Sequence, residues 1–208
     1  MKTLTLSLSA LLLAGASATA LADDAKPLAL ASKAPAADTK LKNVVDGKEV
    51  SIAKAAGKAG TLVLFTCNEC PYAKAWEERI VELGNTYSKK GVGVLLINSN
   101  NPNVSKKDSF ELTQARAKER NIQFAYAVDP DSSVAKAFGA TKTPEAFLFD
   151  KGGKLVYHGT IDDNHEEPGK VAKRYLKDAL EAVSAGKPVP TAETKSLGCT
   201  IKFAKAGS

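Results

Sequence analysis

Two cysteines separated by two residues, Cys67 and Cys70, stand in the stretch "FTCNECPY" (65–72). That spacing supports several chemistries. A C-x-x-C can cycle between dithiol and disulfide, supply half the ligands of a structural zinc site, bind copper(I) transiently through two thiolates, or close as a small structural bridge. Zinc would need ligands from Cys199, His158 and His165, which nothing in the sequence brings together. A purely structural 67–70 bridge would close a tiny loop, where cross-linking stabilises least. Cys199 makes the cysteine count odd, which leaves one thiol unpaired unless the three exchange or a partner supplies a fourth. Working cysteines account for that arithmetic better than staples do. Cys199 itself reads either as an additional redox thiol or as a small buried residue.

The elements that must position the pair are legible on both sides of it. "TLVLF" (61–65) is a continuous apolar run, as in a strand buried on both faces. From Pro71 the period changes: Tyr72, Trp76, Ile80, Leu83 and Tyr87 recur at helical intervals until "KKG" (89–91) supplies a basic last turn and a glycine stop. The cysteines therefore stand where a strand hands over to a helix. Open N–H groups and the helix dipole there favour a thiolate and lower a thiol pKa below its free value of about 8.5. The thiolate is the attacking species in disulfide exchange, and a second thiol within one turn can displace what the first captures. Proline suits the first helical position, so the helix is expected to begin near Cys70 and leave Cys67 in the preceding turn.

Elsewhere, Asp46-Gly47 marks a hairpin between two short strands. "VGVLLI" (92–97) and "FAYAV" (124–128) predict strands, and Ser105 with Asp108 a capping box for a helix through Arg120. "DPDSSVAKAFG" reads as a turn and a short helix, and "EAFLFD" and "KLVYHG" flank a Lys151-Gly152-Gly153 hairpin. Val171, Tyr175, Ala179, Leu180 and Val183 define one face of a last helix. Strands alternating with helices imply right-handed parallel crossovers. The expected class is α/β: a mixed central sheet with an N-terminal β-hairpin and helices on both faces.

Residues 1–22 start with Lys2, continue through apolar Leu4 to Leu13 and end in Ala20-Leu21-Ala22, the pattern of a secretory signal peptide cleaved before Asp23. The expected organisation is a signal peptide (1–22), a flexible leader (23–40), one domain (41–186) and a tail (187–208) that carries Cys199 and ends in "GCTIKF", which has strand character. No later segment is long and apolar enough to span a bilayer, so the mature chain is expected not to cross the membrane. The implied location is periplasmic or secreted, where disulfides are permissible. The net charge of +6 is spread without an Arg/Lys stripe interleaved with aromatics, so nucleic acid is not an expected partner. "TIDDNHEEP" (160–168) lacks the ordered acid–glycine alternation of a calcium loop and reads as a solvated entry to the last helix. His158 reads as a surface or packing residue, and Tyr72 and Trp76 as core.

Over most of residues 41–185 the sequence resembles the thioredoxin-fold redoxins. The carrying stretches are "GKEVSIAKAAGKAGTLVLF", the C-x-x-C, and "YAVDPDSSVAKAFGATKTPEAFLFDKGGKLVYHG". The nearest branches are the exported thiol–disulfide oxidoreductases of the TlpA/ResA kind and the wider alkyl hydroperoxide reductase/thiol-specific antioxidant group. The resemblance implies a thioredoxin-like fold, Cys67 as an exposed nucleophile and Cys70 as a buried resolving thiol. It also implies a cis Thr143-Pro144 bond facing the pair as a substrate-docking edge. No organic cofactor or metal is expected, since the electrons would reside in the redox-active disulfide. Protein thiols or disulfides and an upstream redox partner are the implied partners.

Several features depart from the family pattern. Reductase members often carry W-C-x-P-C, whereas here Thr66 precedes the pair and Pro71 follows it. Glu69 places negative charge beside the thiols, and "TLVLF" carries no buried acid. Peroxidase members use P-x-x-x-T-x-x-C, a spacing absent around Cys67 and Cys70. A peroxidase of the same fold, a copper(I) carrier using the same thiols and a redox-inert interaction domain stand as the alternatives.

Overall fold

The computed structural model describes residues 26–204; the expected signal peptide, 1–22, lies outside the described residues. The chain runs β1 (Leu41–Asn43), β2 (Glu49–Val50), α1 (Ile52–Ala55), β3 (Gly60–Thr66), α2 (Pro71–Ser88), β4 (Val92–Asn98), α3 (Phe110–Glu119) and β5 (Ala125–Val128). It continues through α4 (Ser133–Phe138), β6 (Lys142–Thr143), β7 (Glu145–Asp150), β8 (Leu155–Gly159), α5 (Tyr175–Ser184) and β9 (Cys199–Thr200). Seven strands form one sheet in the order β2-β1-β5-β4-β3-β7-β8, and β6 pairs with β9 beside it. β3 is parallel to β4 and antiparallel to β7, so both of its edges are occupied.

Alternation within the strands divides the core in two. Leu62, Leu64, Leu96, Ala146 and Leu148 face Trp76, Ile80 and Val81 of α2, Ala117 of α3, and Leu176, Leu180 and Val183 of α5. The intervening Val63, Phe65, Leu95, Ile97, Phe147 and Phe149 face Val134 and Phe138 of α4 and Ile52 of α1. All seven residues of β3 are buried, as its apolar run requires. Each fully buried large apolar side chain contributes about 1.5–3 kcal/mol relative to exposure, which makes this strand a rigid support for the loop that follows it. The fold is the expected one: mixed sheet, N-terminal hairpin, helices on both faces.

Two local expectations change. Ser105 precedes a 3-10 turn over Lys106–Asp108 rather than capping the helix; the Ser109 side chain accepts the Leu112 N–H and starts α3 instead. Asp108 is drawn into a buried network described below, which takes it away from the helix end. Residues 26–40 lack regular helix or strand, as their composition implies, but they are held against the domain and do not form the flexible leader expected. The Leu28 N–H donates to the Phe138 carbonyl, Ala31 and Ser32 exchange backbone hydrogen bonds with Leu155, and Leu28, Ala34 and Ala36 pack on the core beside α4. Among the described residues no helix is long and apolar enough to cross a membrane.

Candidate active site

Cys67 follows β3 directly, and Cys70 occupies the cap position before α2 with Pro71 as its first residue. The helix therefore starts where the proline predicts, and Cys67 lies in the turn. A second segment approaches from the other side. The Thr143-Pro144 peptide is cis, as the resemblance implies. The Thr143 hydroxyl lies 3.2 Å from the Cys67 sulfur, and its carbonyl lies 2.9 Å from the Cys70 sulfur. Thr143, joined to Pro144 by the cis bond, thus touches both cysteines, across 76 residues of chain from Cys67.

The fifth expected site residue, Cys199, joins them. β9 runs antiparallel to β6 with Cys199 opposite Thr143, and the Cys199 side chain packs on Cys67, Cys70 and Ala73. The Cys199 N–H donates to the Cys70 sulfur at 3.4 Å. Because the tail covers the pair, Cys67 is not the exposed thiol expected: it is 6% exposed and Cys70 3%. The three thiols line a cavity of about 120 Å³ with Glu69, Asn100, Ser105, Thr200 and Lys202. No disulfide joins any two of them in this structure. Among the described residues no group of three or more His, Cys, Asp or Glu side chains is placed to hold a metal ion.

Cys67 and Cys70 ionise as a pair. The Cys67 S–H, the Cys199 side chain and the N–H groups of Ala73 and Cys199 pull Cys70 down to about 4, against the effect of burial. The remaining proton stays on Cys67, raised far above the ordinary thiol range by its bond to Cys70, by burial and by nearby Asp108; the Thr143 hydroxyl works the other way. The Thr143 carbonyl serves the opposite distribution, because it accepts a hydrogen bond only when Cys70 is protonated. The site therefore has partners for a charge on either sulfur, and one proton moving from Cys67 to Cys70 transfers the charge to Cys67.

Asp108 is the functional residue that sequence reasoning missed. It accepts from the Asn68 N–H at 2.7 Å, from Asn98 and Asn100 side-chain amides at 2.9 Å each, and from the Ser105 hydroxyl at 2.6 Å. It fixes the loop between the cysteines and supplies the buried acid that β3 lacks. Its only sequence signal is the Ser105/Asp108 spacing, which also describes a cap. Glu69 points outward instead, between Lys107 at 3.2 Å and Lys74 at 3.5 Å, which offsets its charge.

The histidines and the acidic loop take structural positions. His158 is buried, stacks on Phe147 and lies 2.8 Å from Glu145, which follows Pro144. Asp162 is buried rather than solvated: it accepts from the Trp76 indole at 2.7 Å and pairs with Arg79, tying that loop to α2.

The AhpC/TSA family profile matches residues 32–158. The chain is similar to an uncharacterized conserved protein from Geobacillus kaustophilus, at 36% identity and a TM-score of 0.80 over 86% of this chain and 94% of that one. It is also similar to a hypothetical protein from Sinorhizobium meliloti 1021, at 34% identity and a TM-score of 0.79 over 88% and 98% of the two chains. A thiol-disulfide oxidoreductase, ResA of Bacillus thuringiensis subsp. konkukian, is 23% identical over 140 residues, covering 67% of this chain and 72% of the relative. With the matched profile spanning more than half of its length, the chain belongs to the AhpC/TSA family of thioredoxin-like proteins.

Proposed function

We propose that this protein is an exported thiol–disulfide oxidoreductase that exchanges disulfides with protein thiols through Cys67 and Cys70. The observation that carries the reading is the meeting of both sulfurs with Thr143 at the start of a helix, where a thiolate is stabilised and its neighbour stands within reach. Cys67 is the attacking sulfur. It sits in the turn outside the helix, whereas Cys70 is held by the helix start, the Thr143 carbonyl and the Cys199 N–H. With its proton passed to Cys70, the Cys67 thiolate attacks one sulfur of a partner disulfide and expels the other as a thiolate. Cys70 then attacks Cys67, which breaks the mixed disulfide, releases the second partner thiol and leaves a 67–70 disulfide. The same steps in reverse oxidise a partner dithiol, and no organic cofactor enters.

Export is supported by the basic start, short apolar core and A-x-A pattern of residues 1–22. Thr143 and Pro144 form the docking edge for a partner chain, which has to displace the C-terminal strand paired with Thr143. The test is to trap the intermediate. Cys70→Ser protein mixed with a disulfide-linked peptide should gain the mass of one peptide strand on Cys67, and Cys67→Ser should gain none. An adduct on neither variant, or on Cys70 alone, contradicts the assignment.

A further inference from the structure

We infer that Cys199 is a third redox thiol, held on the site by the chain's own C-terminal strand, so that a 67–70 disulfide and a 70–199 disulfide interconvert within one molecule. This deepens the exchange proposed above and rests on it.

The tail occupies the β6 edge as an extended peptide would. Cys199 pairs with Thr143 and Thr200 with Lys142, the Ile201 N–H donates to the Thr141 carbonyl, and Ile201 is buried in the core. Beyond it, the Lys202 N–H donates to the Asn100 side chain, and the Lys202 carbonyl accepts the Asn101 N–H. Gly198 permits the close approach: a Cβ there would lie 2.3 Å from the Thr143 carbonyl oxygen. These contacts anchor the strand on both sides of Cys199. They turn its side chain toward the thiols while Thr200 faces solvent.

Cys70 packs in one cluster with Cys67 and Cys199, and its sulfur accepts the Cys199 N–H at 3.4 Å. Starting from the 67–70 disulfide, the Cys199 thiolate attacks the Cys70 sulfur. The 70–199 bond forms, the 67–70 bond breaks, and its electron pair leaves on Cys67 as a thiolate. The proton lost by Cys199 is available to Cys67, and the molecule is neither oxidised nor reduced overall. In the reduced protein Cys199 is pushed up to about 11 by burial and by Cys70, with Lys202 and Lys142 opposing. Once Cys70 is in a disulfide its charge is gone, and the push on Cys199 that comes from it is removed. A 70–199 bridge also spans 129 residues, so it constrains the unfolded chain more than a 67–70 bridge does.

Trypsin separates the participants, because Cys67 and Cys70 share peptide 59–74 and Cys199 lies on peptide 196–202. The full chain is oxidised with glutathione disulfide, quenched in acid, alkylated and digested without reductant. The wild type should yield the cross-linked pair of peptides. In Cys67→Ala the cross-link should predominate, with loss of alkylatable Cys199; in Cys70→Ala it should be largely lost. Recovery of peptide 196–202 alkylated or glutathionylated in both wild type and Cys67→Ala overturns the inference. Cys199→Ser separates the two failures: a 67–70 disulfide that still forms there leaves the pair's own chemistry standing, and its absence overturns both.

Discussion

At Cys70 the helix start, the Cys67 S–H and the Cys199 N–H all favour negative charge, so the reduced protein should carry one thiolate at neutral pH. The sign follows from the depressed value: thiolate ultraviolet absorbance persists below the ordinary thiol range and is lost as pH falls through about 4. A single transition near the free-thiol value of about 8.5 would contradict this. Asp108 makes a second residue-level prediction. Replacing it by Asn puts an amide group among four donors, which should destabilise the fold by about 2–4 kcal/mol in urea unfolding. It should also let Cys67 ionise at lower pH, since a charge that raises it is gone; unchanged stability and titration would refute the role. The cysteines were legible in sequence because spacing alone marks them. Asp108 was not, because its bond to the Asn68 N–H spans 40 residues and depends on how the β4–α3 connection folds back.

Among the elements, the junction of β3 and α2 could be read in advance: an apolar run gives way to a helical period at Pro71, and the structure starts the helix there. Of the two-residue strands, β9 falls within "GCTIKF", whose strand character was legible, but β6 and the pairing of the two were not. They are too short for periodicity to register, and they exist because the anchored tail supplies a partner for the edge at Thr143. Gly198, just before β9, leaves no room for a Cβ against the Thr143 carbonyl. Gly198→Ala should push the tail away from Thr143, reduce hydrogen-exchange protection of the Ile201 N–H, and speed alkylation of Cys67 with the rest of the fold retained. Unaltered protection and alkylation would show that β9 does not cover the thiols.

For the whole molecule, two segments without long elements wrap a sheet that the sequence pattern did specify. Residues 26–40 cover the α4 side, and the chain after α5 returns past β8 to the thiols, with His158 and Ala192 joined by a backbone hydrogen bond. Composition made the first look detachable, since Ala- and Lys-rich sequence carries little periodicity; the packing of half-buried Leu28 beside α4 comes from tertiary contact instead. Deleting residues 23–36 should therefore lower stability by about 2–4 kcal/mol in urea unfolding, and an unchanged midpoint would show the segment to be dispensable. The central claim concerns the thiols at the middle of this wrap, and it is tested most directly by equilibrating the protein in glutathione buffers of graded ratio and counting alkylatable Cys67, Cys70 and Cys199. In Cys199→Ser the account predicts that Cys67 and Cys70 are lost together, reversibly, to an intramolecular disulfide, and in the wild type that Cys70 is lost together with either Cys67 or Cys199; thiols that remain alkylatable at every ratio, or that end only as glutathione adducts, would contradict it.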